Sequence, residues 1–480
     1  MSAEGLAAAQ SRMREAQVPA VAIDVFSHYY ALLESGETGV MAESGLEPLR
    51  DPPHIDHLHV DEQSARDALA ATVVVKLNGG LGTSMGMERA KSLLEVHEGL
   101  SFLDIIVRQA QKLRERSSAP LPVVFMNSFR TREDTLGALA GYVDLAVEEV
   151  ALDFVQSREP KLRADDLMPV DWPAEPDLAW CPPGHGDLYT ALTSSGVLKQ
   201  LIDAGYRYAF VSNSDNLGAA ADSRIAGWFA ASGAPFASEV CRRTTADRKG
   251  GHLAVRRRDG QLVLRESAQT APEDAAAFSD VTRHRFFNTN NLWLDLGSLA
   301  DTMERTGGVL GLPLIRNEKT VDPGDKSSPA VIQIETAMGA AVEVFEGSQA
   351  LEVDRSRFLP VKSTNDLLVL RSDVYTLGED FSVRLARVGD APYVDLDSDF
   401  YRLISDFDVR FPAGAPSLAR ASSFIVHGDW TFEAGVTVEG DAKIGATGSP
   451  GVIREGTRLE GGEGLTGGWT VRESRPPRAE

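Results

Sequence analysis

Residues 72–92 read TVVVKLNGGLGTSMGMERAKS. The β-branched apolar run from Thr72 to Val75 leads through Lys76 and Leu77 into Gly79, Gly80, Gly82 and Gly86, and then into Lys91 and Ser92. The run predicts a buried strand. The glycines predict a loop whose backbone comes very close to a ligand. Amide N–H groups unobstructed by a Cβ suit an anion or a flat base, and Lys91 adds a point charge suited to phosphate. The loop matches neither common phosphate fingerprint. Gly86 comes one residue late for G-x-G-x-x-G, and Ala90 stands where the Walker pattern needs Gly before Lys-Ser. It would therefore serve a nucleotide by another geometry, with a ligand-free Gly-rich turn as the plain alternative.

Outward from this loop the chain alternates strands and helices as far as about residue 375. Strands are predicted at Thr72–Leu77, Pro122–Met126, Tyr208–Val211 and Asn291–Leu294, and helices at Phe102–Arg116, Ser194–Ala204 and Ser223–Ser232. The alternation predicts a largely parallel sheet with helices on both faces and ligands at the carboxyl ends of the strands. The Ser212–Asp215 segment also follows a strand, so it and the glycine loop are expected at one crevice. Residues 1–70 read as mainly helical, with an Ala-rich stretch from Gly5 to Val18 and Ser64 to Ala71 leading into the first strand. His54, His57 and His59 cluster in a Pro-rich connector and read as loop residues rather than metal ligands. From about residue 420, short apolar rungs are spaced by Gly or Asp, as in Phe424-Ile425-Val426-His427-Gly428-Asp429 and Val436-Thr437-Val438-Glu439-Gly440. They suggest a small β-helix. The polar tail after Gly468 is expected to fray.

The bulk properties narrow the class of partner. With 48 basic and 70 acidic side chains among 480 residues, the net charge is −22. So acidic a surface repels nucleic acid and anionic membranes, and an anionic substrate would need a local cationic pocket. No stretch of about 18 apolar residues and no leader pattern occurs. Cys181 and Cys241 have no metal spacing and form no disulfide framework. A reduced, cytoplasmic setting is the expectation.

LNGGLGTSMGMERAKS resembles the signature of the eukaryotic-type UTP–glucose-1-phosphate uridylyltransferases. FVQSREPKL (154–162), CPPGHGDLY (181–189), FVSNSDNLGA (210–219), FFNTNNLW (286–293), VIQIETAMGAA (331–341) and SRFLPVKSTNDLL (356–368) match the family in the same order. The chain departs at Met87-Glu88-Arg89-Ala90, where the family usually reads Cys-Lys-Gly-Pro. The resemblance implies an α/β fold with a Rossmann-like (GT-A-like) mixed sheet and a C-terminal β-helix. Its parts would be a helical region 1–70, a catalytic domain 71–415 and a β-helix domain 416–480. It implies Lys91 and Lys362 as catalytic cations. Nucleotide contacts would come from Leu77, Asn78, Gly79, Gly80, Gln156, Gly184 and Asp215. Sugar-phosphate contacts would come from His185, Asn213, Asn290 and Glu335. Asp215 would hold Mg²⁺, and the C-terminal region is where a homo-oligomer would form.

The residue types suit these roles. A carboxylate at a strand end can hold Mg²⁺ against a triphosphate, although an Asx turn would use Asp215 too. The Gln156 amide can pair with both donor and acceptor on uracil, and the amides of Asn288, Asn290 and Asn291 suit sugar hydroxyls. Glu335 could accept from the same sugar or simply begin a helix. The reaction implied is in-line attack of a glucose 1-phosphate oxygen on the α-phosphorus of UTP, releasing pyrophosphate. It needs positioning and charge neutralisation but no protein nucleophile. The rival readings are a pyrophosphorylase for another sugar 1-phosphate, a catalytically inactive nucleotide-binding regulator, and a glycosyltransferase that consumes UDP-sugar.

Overall fold

The computed structural model describes residues 2–244, 247–446 and 448–461. The expected fraying after Gly468 lies outside these residues. Thr72–Asn78 is the central strand of a mixed ten-stranded sheet. It runs parallel to Tyr208–Asn213 on one side and to Val123–Asn127 on the other, and Val123–Asn127 runs parallel to Asp153–Val155. Val73 and Val75 point into one apolar core and Val74 into the other, the alternation that a strand buried on both faces requires. The chain leaves this strand and later returns to both of its flanks. The crevice beyond its carboxyl end is therefore a topological switch point, where open α/β sheets place ligands.

The sheet is mixed, with antiparallel pairs at least as numerous as parallel ones, which corrects the expectation of a largely parallel one. Phe286–Asp295 runs antiparallel to Tyr208–Asn213, and Phe236–Arg242 antiparallel to Phe286–Asp295. His252–Arg256 and Leu262–Arg265 form a hairpin, Leu46–Pro48 pairs antiparallel on its edge, and Gln349–Glu352 returns parallel to Phe236–Arg242. The hairpin strands follow one another without an intervening helix, and a short connection of that kind permits only antiparallel pairing. The fourth predicted strand is also longer than expected, because the whole FFNTNNLW segment belongs to it.

Helices cover both faces. Phe102–Ser117 is fixed at its start by a capping box between Ser101 and Asp104 and buries Phe102, Ile105 and Ile106. On the opposite face the expected helix Ser194–Ala204 is two helices, Leu188–Ser194 and Val197–Asp203, separated at Gly196 with φ 79°. Helices Ser2–Glu15 and Ala20–Glu34 pack on a small sheet of Leu162–Arg163, Ile315–Thr320 and Ala330–Glu335. Phe26, Tyr30 and Leu33 share a buried cluster there with Ile332 and Ile334. The N-terminal helices thus back the strand that ends at Glu335.

Toward the C-terminus, Tyr393–Leu396, Ser417–Val426, Thr437–Ile444 and Arg458–Glu460 stack in parallel. Trp430–Phe432 lies parallel to Gly451–Ile453 in a separate sheet. One apolar cluster runs from Phe102 and Phe210 under the main sheet to Phe407, Phe411, Phe432 and Val438. The Phe411 and Phe432 rings stack with centroids 4.9 Å apart.

Candidate active site

The glycine loop springs from the carboxyl end of Thr72–Asn78. Asn78 roots it. Its side-chain amide donates to Asn127 (2.9 Å) and Thr135 (2.8 Å) and accepts from the Ser214 hydroxyl (3.0 Å). The Asn78 side chain is thus spent inside the protein and holds three strand ends together. Gly79 is pressed against the Gln156 amide, and a Cβ there would lie 2.9 Å from either amide terminal atom. The Gln156 side chain makes no hydrogen bond to protein among the described residues, which leaves both its donor and its acceptor for a ligand. Gly80 faces open space, and its carbonyl accepts the Lys91 N–H at 3.1 Å, closing the loop. Gly82 (φ 69°) and Gly86 (φ 72°) bracket a 3-10 turn, Thr83–Met85, in the left-handed backbone region that favours glycine.

Closure brings Lys91 to Asp215. The Nζ–Oδ2 distance is 2.6 Å, and the ammonium also donates to the Val361 carbonyl. Both partners are largely shielded, at 15% and 24% side-chain exposure, so the pair is worth more than one in open water. Asp215 follows the strand Tyr208–Asn213, whose end is registered on Leu77. Its carbonyl accepts the Val361 N–H at 3.2 Å. Leu77, Asn213, Lys91 and Asp215 thus converge with the residue that precedes Lys362. The Lys362 and Ser363 N–H groups both donate to Asp366, which forms the capping box of helix Thr364–Arg371 with the N-cap Ser363. That cap fixes the Lys362 backbone and leaves its side chain exposed at the helix start.

A second wall is made by two loops zipped together. Thr336 N–H donates to the Pro183 carbonyl at 3.0 Å, and Gly186 N–H to the Thr336 carbonyl at 2.8 Å. Gly184 has φ 78°, and a Cβ on it would meet Thr336 O at 2.6 Å and Glu335 Cβ at 3.1 Å. The Met338 N–H donates to His185 Nδ1 at 2.9 Å. A backbone N–H can only donate, so Nδ1 carries no proton and Nε2–H is the donor of His185. Burial holds the His185 pKa below the ordinary histidine value, with Glu335 opposing. Glu335 is itself paired with Lys319 at 3.4 Å. Behind the wall, the buried Asp187 accepts the Ser157 N–H at 2.5 Å, tying the His185 turn to the neighbour of Gln156.

The Asn-rich segment is a bulge. The pairing of Phe236–Arg242 with Phe286–Asp295 jumps from Ser238↔Leu292 to Val240↔Asn288, so Glu239 alone opposes three residues. Asn290 takes φ 59°, and its amide oxygen accepts from Asn288 Nδ2 at 2.8 Å. Asn291 turns inward instead, fully buried and bonded to Glu239 at 3.0 Å, so it holds the bulge and does not face a sugar.

The structure adds one residue that the sequence reading did not single out. Glu266 is raised above the ordinary carboxylate pKa by burial, with the Lys362 charge opposing. It packs so closely on Gly251 that a Cβ there would lie 2.4 Å from its carboxylate. No local pattern around Glu266 marks it; its closeness to Lys362 is a product of the tertiary fold. Among the described residues, the only set of three possible metal-ligating side chains is His54, Asp56 and Asp354, which does not include Asp215. In it His54 Nδ1 already accepts the Asp56 N–H.

The family model described as UTP–glucose-1-phosphate uridylyltransferase matches residues 23–439. The chain belongs to this family. The UTP–glucose-1-phosphate uridylyltransferase of Astragalus penduliflorus is 39% identical over 398 residues, covering 82% of this chain and 80% of that one. The enzyme of the same description from Saccharomyces cerevisiae is 40% identical over 380 residues, covering 78% and 74%. Among solved structures, a variant of the Leishmania major UDP-glucose pyrophosphorylase in complex with UDP-glucose superposes with a TM-score of 0.88 at 42% identity. The match covers 95% of this chain and 98% of that one. A Trypanosoma brucei structure described as UDP-glucose phosphorylase superposes with a TM-score of 0.89 at 41% identity, over 95% and 98%.

This uridylyltransferase chain accommodates its departure from the family wording. Ala90, where the signature it resembles reads Pro, has φ −53°, a value proline itself adopts. Its N–H points to Asp134 Oδ2 at 3.4 Å, a contact proline could not make.

Proposed function

We propose that this chain joins UTP and glucose 1-phosphate to give UDP-glucose and pyrophosphate by direct in-line nucleotidyl transfer. The observation that carries the reading is the convergence of Lys91, Asp215 and Lys362 on one crevice through the Lys91–Asp215 and Lys91–Val361 contacts. Two cations and exposed loop amides suit the charge that develops around an α-phosphorus, and no nucleophile–base pair is required. The sugar phosphate is already a competent nucleophile. Lys91 and Lys362 act as the cations on phosphate. Gln156, Gly79, Gly80 and Gly184 hold the base. His185 Nε2–H, Asn213, Asn290 and Glu335 meet the sugar phosphate, with Glu266 as a further acceptor near Lys362.

Asp215 would hold Mg²⁺. A single carboxylate fits this ion, which keeps several waters and enters on the triphosphate rather than in an all-protein cage. When bound, the ion supplies charge neutralisation to the phosphates. The central parallel strands and their switch point support a Rossmann-like, GT-A-like reading of residues 71–415. The stacked parallel strands support a β-helix in residues 416–480, with residues 1–70 as a helical region. The exposed apolar Val452 in strand Gly451–Ile453 supports a homo-oligomeric contact there. Among the described residues no helix is long and apolar enough to cross a membrane. Both cysteines are buried and free, in keeping with a cytoplasmic setting.

The test is turnover of UTP with Mg²⁺ and a panel of sugar 1-phosphates, followed by pyrophosphate release and identification of the nucleotide sugar. Fastest turnover with glucose 1-phosphate is expected. Preference for the galactose or N-acetylglucosamine compound, or no pyrophosphate at all, would overturn it.

A further inference from the structure

A buried carboxylate lies behind the site and has no part in the chemistry above. Glu239 is fully buried in strand Phe236–Arg242, yet its two oxygens accept four side-chain donors. Trp293 Nε1 (3.0 Å) and Arg357 Nη2 (2.7 Å) reach Oε1, while Asn291 Nδ2 (3.0 Å) and Arg357 Nε (2.7 Å) reach Oε2. Its carbonyl also accepts from Thr289 Oγ1 at 2.7 Å. Every lone-pair direction of the carboxylate is filled, so it has none left for water or substrate.

The donors belong to the segments that carry the site. Thr289 and Asn291 flank Asn290 in the bulge, and Glu239 holds both. Arg357 opens the segment that ends at Lys362. The Arg357 carbonyl accepts from Asn216 Nδ2 (3.1 Å) and from Asn291 Nδ2 (3.2 Å), and the Leu359 N–H donates to Asn216 Oδ1 (2.8 Å). Asn216 is the residue after Asp215, and its own amide reaches Asn291 Oδ1 at 3.2 Å. One carboxylate and one guanidinium thus join the sugar-side bulge, the Asp215 turn and the Lys362 segment. A buried ion pair adds little net stability over well-packed apolar groups of the same volume. A two-pronged Arg–carboxylate contact does fix relative orientation, which a slippery apolar contact does not.

We propose that Glu239 and Arg357 are positioning residues for nucleotidyl transfer, setting the spacing between the sugar-binding amides and the Lys91, Asp215 and Lys362 phosphate centre. The inference rests on the functional reading above. Neither residue touches substrate; both act through the segments they tie. Displacement of a bound reactant by about 1 Å can cost roughly 10²-fold in rate, whereas ground-state binding of the nucleotide depends mainly on the glycine loop.

The test uses the full chain with Arg357→Lys, which keeps the charge but loses the fork, and Arg357→Ala. We expect folded Arg357→Lys to lose about 10²-fold in kcat with KM for UTP within about threefold of wild type. Millimolar guanidinium should restore about tenfold of the rate lost by Arg357→Ala, because the free cation can refill the fork. A merely structural role would lower the folded fraction or Tm without that split or rescue. If Arg357→Lys does not fold, Asn216→Ser tests the other end of the network by the same split. A folded variant with kcat within about threefold of wild type, or with its loss confined to KM, overturns the proposal. Absence of UDP-glucose formation by the wild type would instead overturn the functional reading.

Discussion

Lys91 Nζ lies 2.6 Å from Asp215 Oδ2, so the loop cation and the strand-end carboxylate meet before any phosphate is considered. An ammonium and a divalent cation cannot share one carboxylate oxygen without strong repulsion. If Asp215 holds Mg²⁺ as proposed, Lys91 and the ion would compete for it unless a triphosphate draws the ammonium away. Lys91→Ala is expected to lose roughly 10²–10³ in turnover, about 3–4 kcal/mol of transition-state stabilisation. The same variant should bind Mn²⁺ more tightly than wild type when UTP is omitted, measured by electron paramagnetic resonance titration. Turnover above half of wild type, or unchanged Mn²⁺ affinity, would remove this coupling.

Asp215→Asn keeps an oxygen ligand and loses the charge. The Mg²⁺ concentration for half-maximal initial rate should rise and the maximal rate fall. If a Mg²⁺ titration superimposes on that of wild type, Asp215 is not the metal-holding carboxylate.

Gly79→Ala would place a Cβ 2.9 Å from the Gln156 amide. The amide must shift, so KM for UTP should rise and the preference for UTP over CTP should narrow, because buried polar groups in the base site lose their partners. Gln156→Ala should narrow the same preference. The measurement is kcat/KM for UTP, CTP and ATP. A ratio of UTP to CTP unaltered in both variants would place the base elsewhere.

Gly184→Ala combines a left-handed φ of 78° with a Cβ 2.6 Å from the Thr336 carbonyl. With ψ at 177° the backbone lies in a region essentially reserved for glycine, so the conformation alone costs about 1–3 kcal/mol, and the two zipped loops must also part. Activity should fall with weakened binding of both UTP and glucose 1-phosphate by calorimetry, since in the proposed site the turn would face both. Wild-type affinity for each would show that the loop junction tolerates bulk.

Burial raises the Asp187 carboxyl from 3.8 to about 7. A group whose pKa is higher in the folded than in the unfolded state stabilises fully below its unfolded pKa, and loses that contribution as pH rises through the folded value. The free energy of unfolding should therefore contain a component that falls between about pH 4 and pH 7. Asp187→Asn retains an acceptor for the Ser157 N–H and should flatten the profile in that window. Glu159 nearby, also raised by burial and by Asp187, would keep part of the slope. Denaturant titrations across the range measure the difference; parallel profiles would count against a neutral Asp187.

The sequence by itself determined the central strand, the glycine loop and the order of the site motifs, because each is a local pattern. A β-branched run, clustered glycines and strand-end polar residues constrain the backbone whatever surrounds them. It also singled out Lys91, Asp215 and Lys362, whose segments the fold brings together. Strand direction in the outer sheet was not legible, since apolar periodicity reports burial and is blind to which way a neighbour runs. The break at Gly196 was missed because a single glycine inside a helical pattern costs too little to force a boundary.

Only the tertiary structure decided which of the three asparagines face the cleft. One residue, Glu239, opposes three across the bulge, and that mismatch turns Asn291 inward and leaves Asn290 in a left-handed conformation. Nor could local sequence bring Glu266 near Lys362, or Leu403 against Gly86, where a Cβ would meet it at 3.0 Å. These relations join residues distant in the chain. They exist because burial of apolar surface brings segments together, and the polar groups carried inward must then find partners among whatever lies beside them.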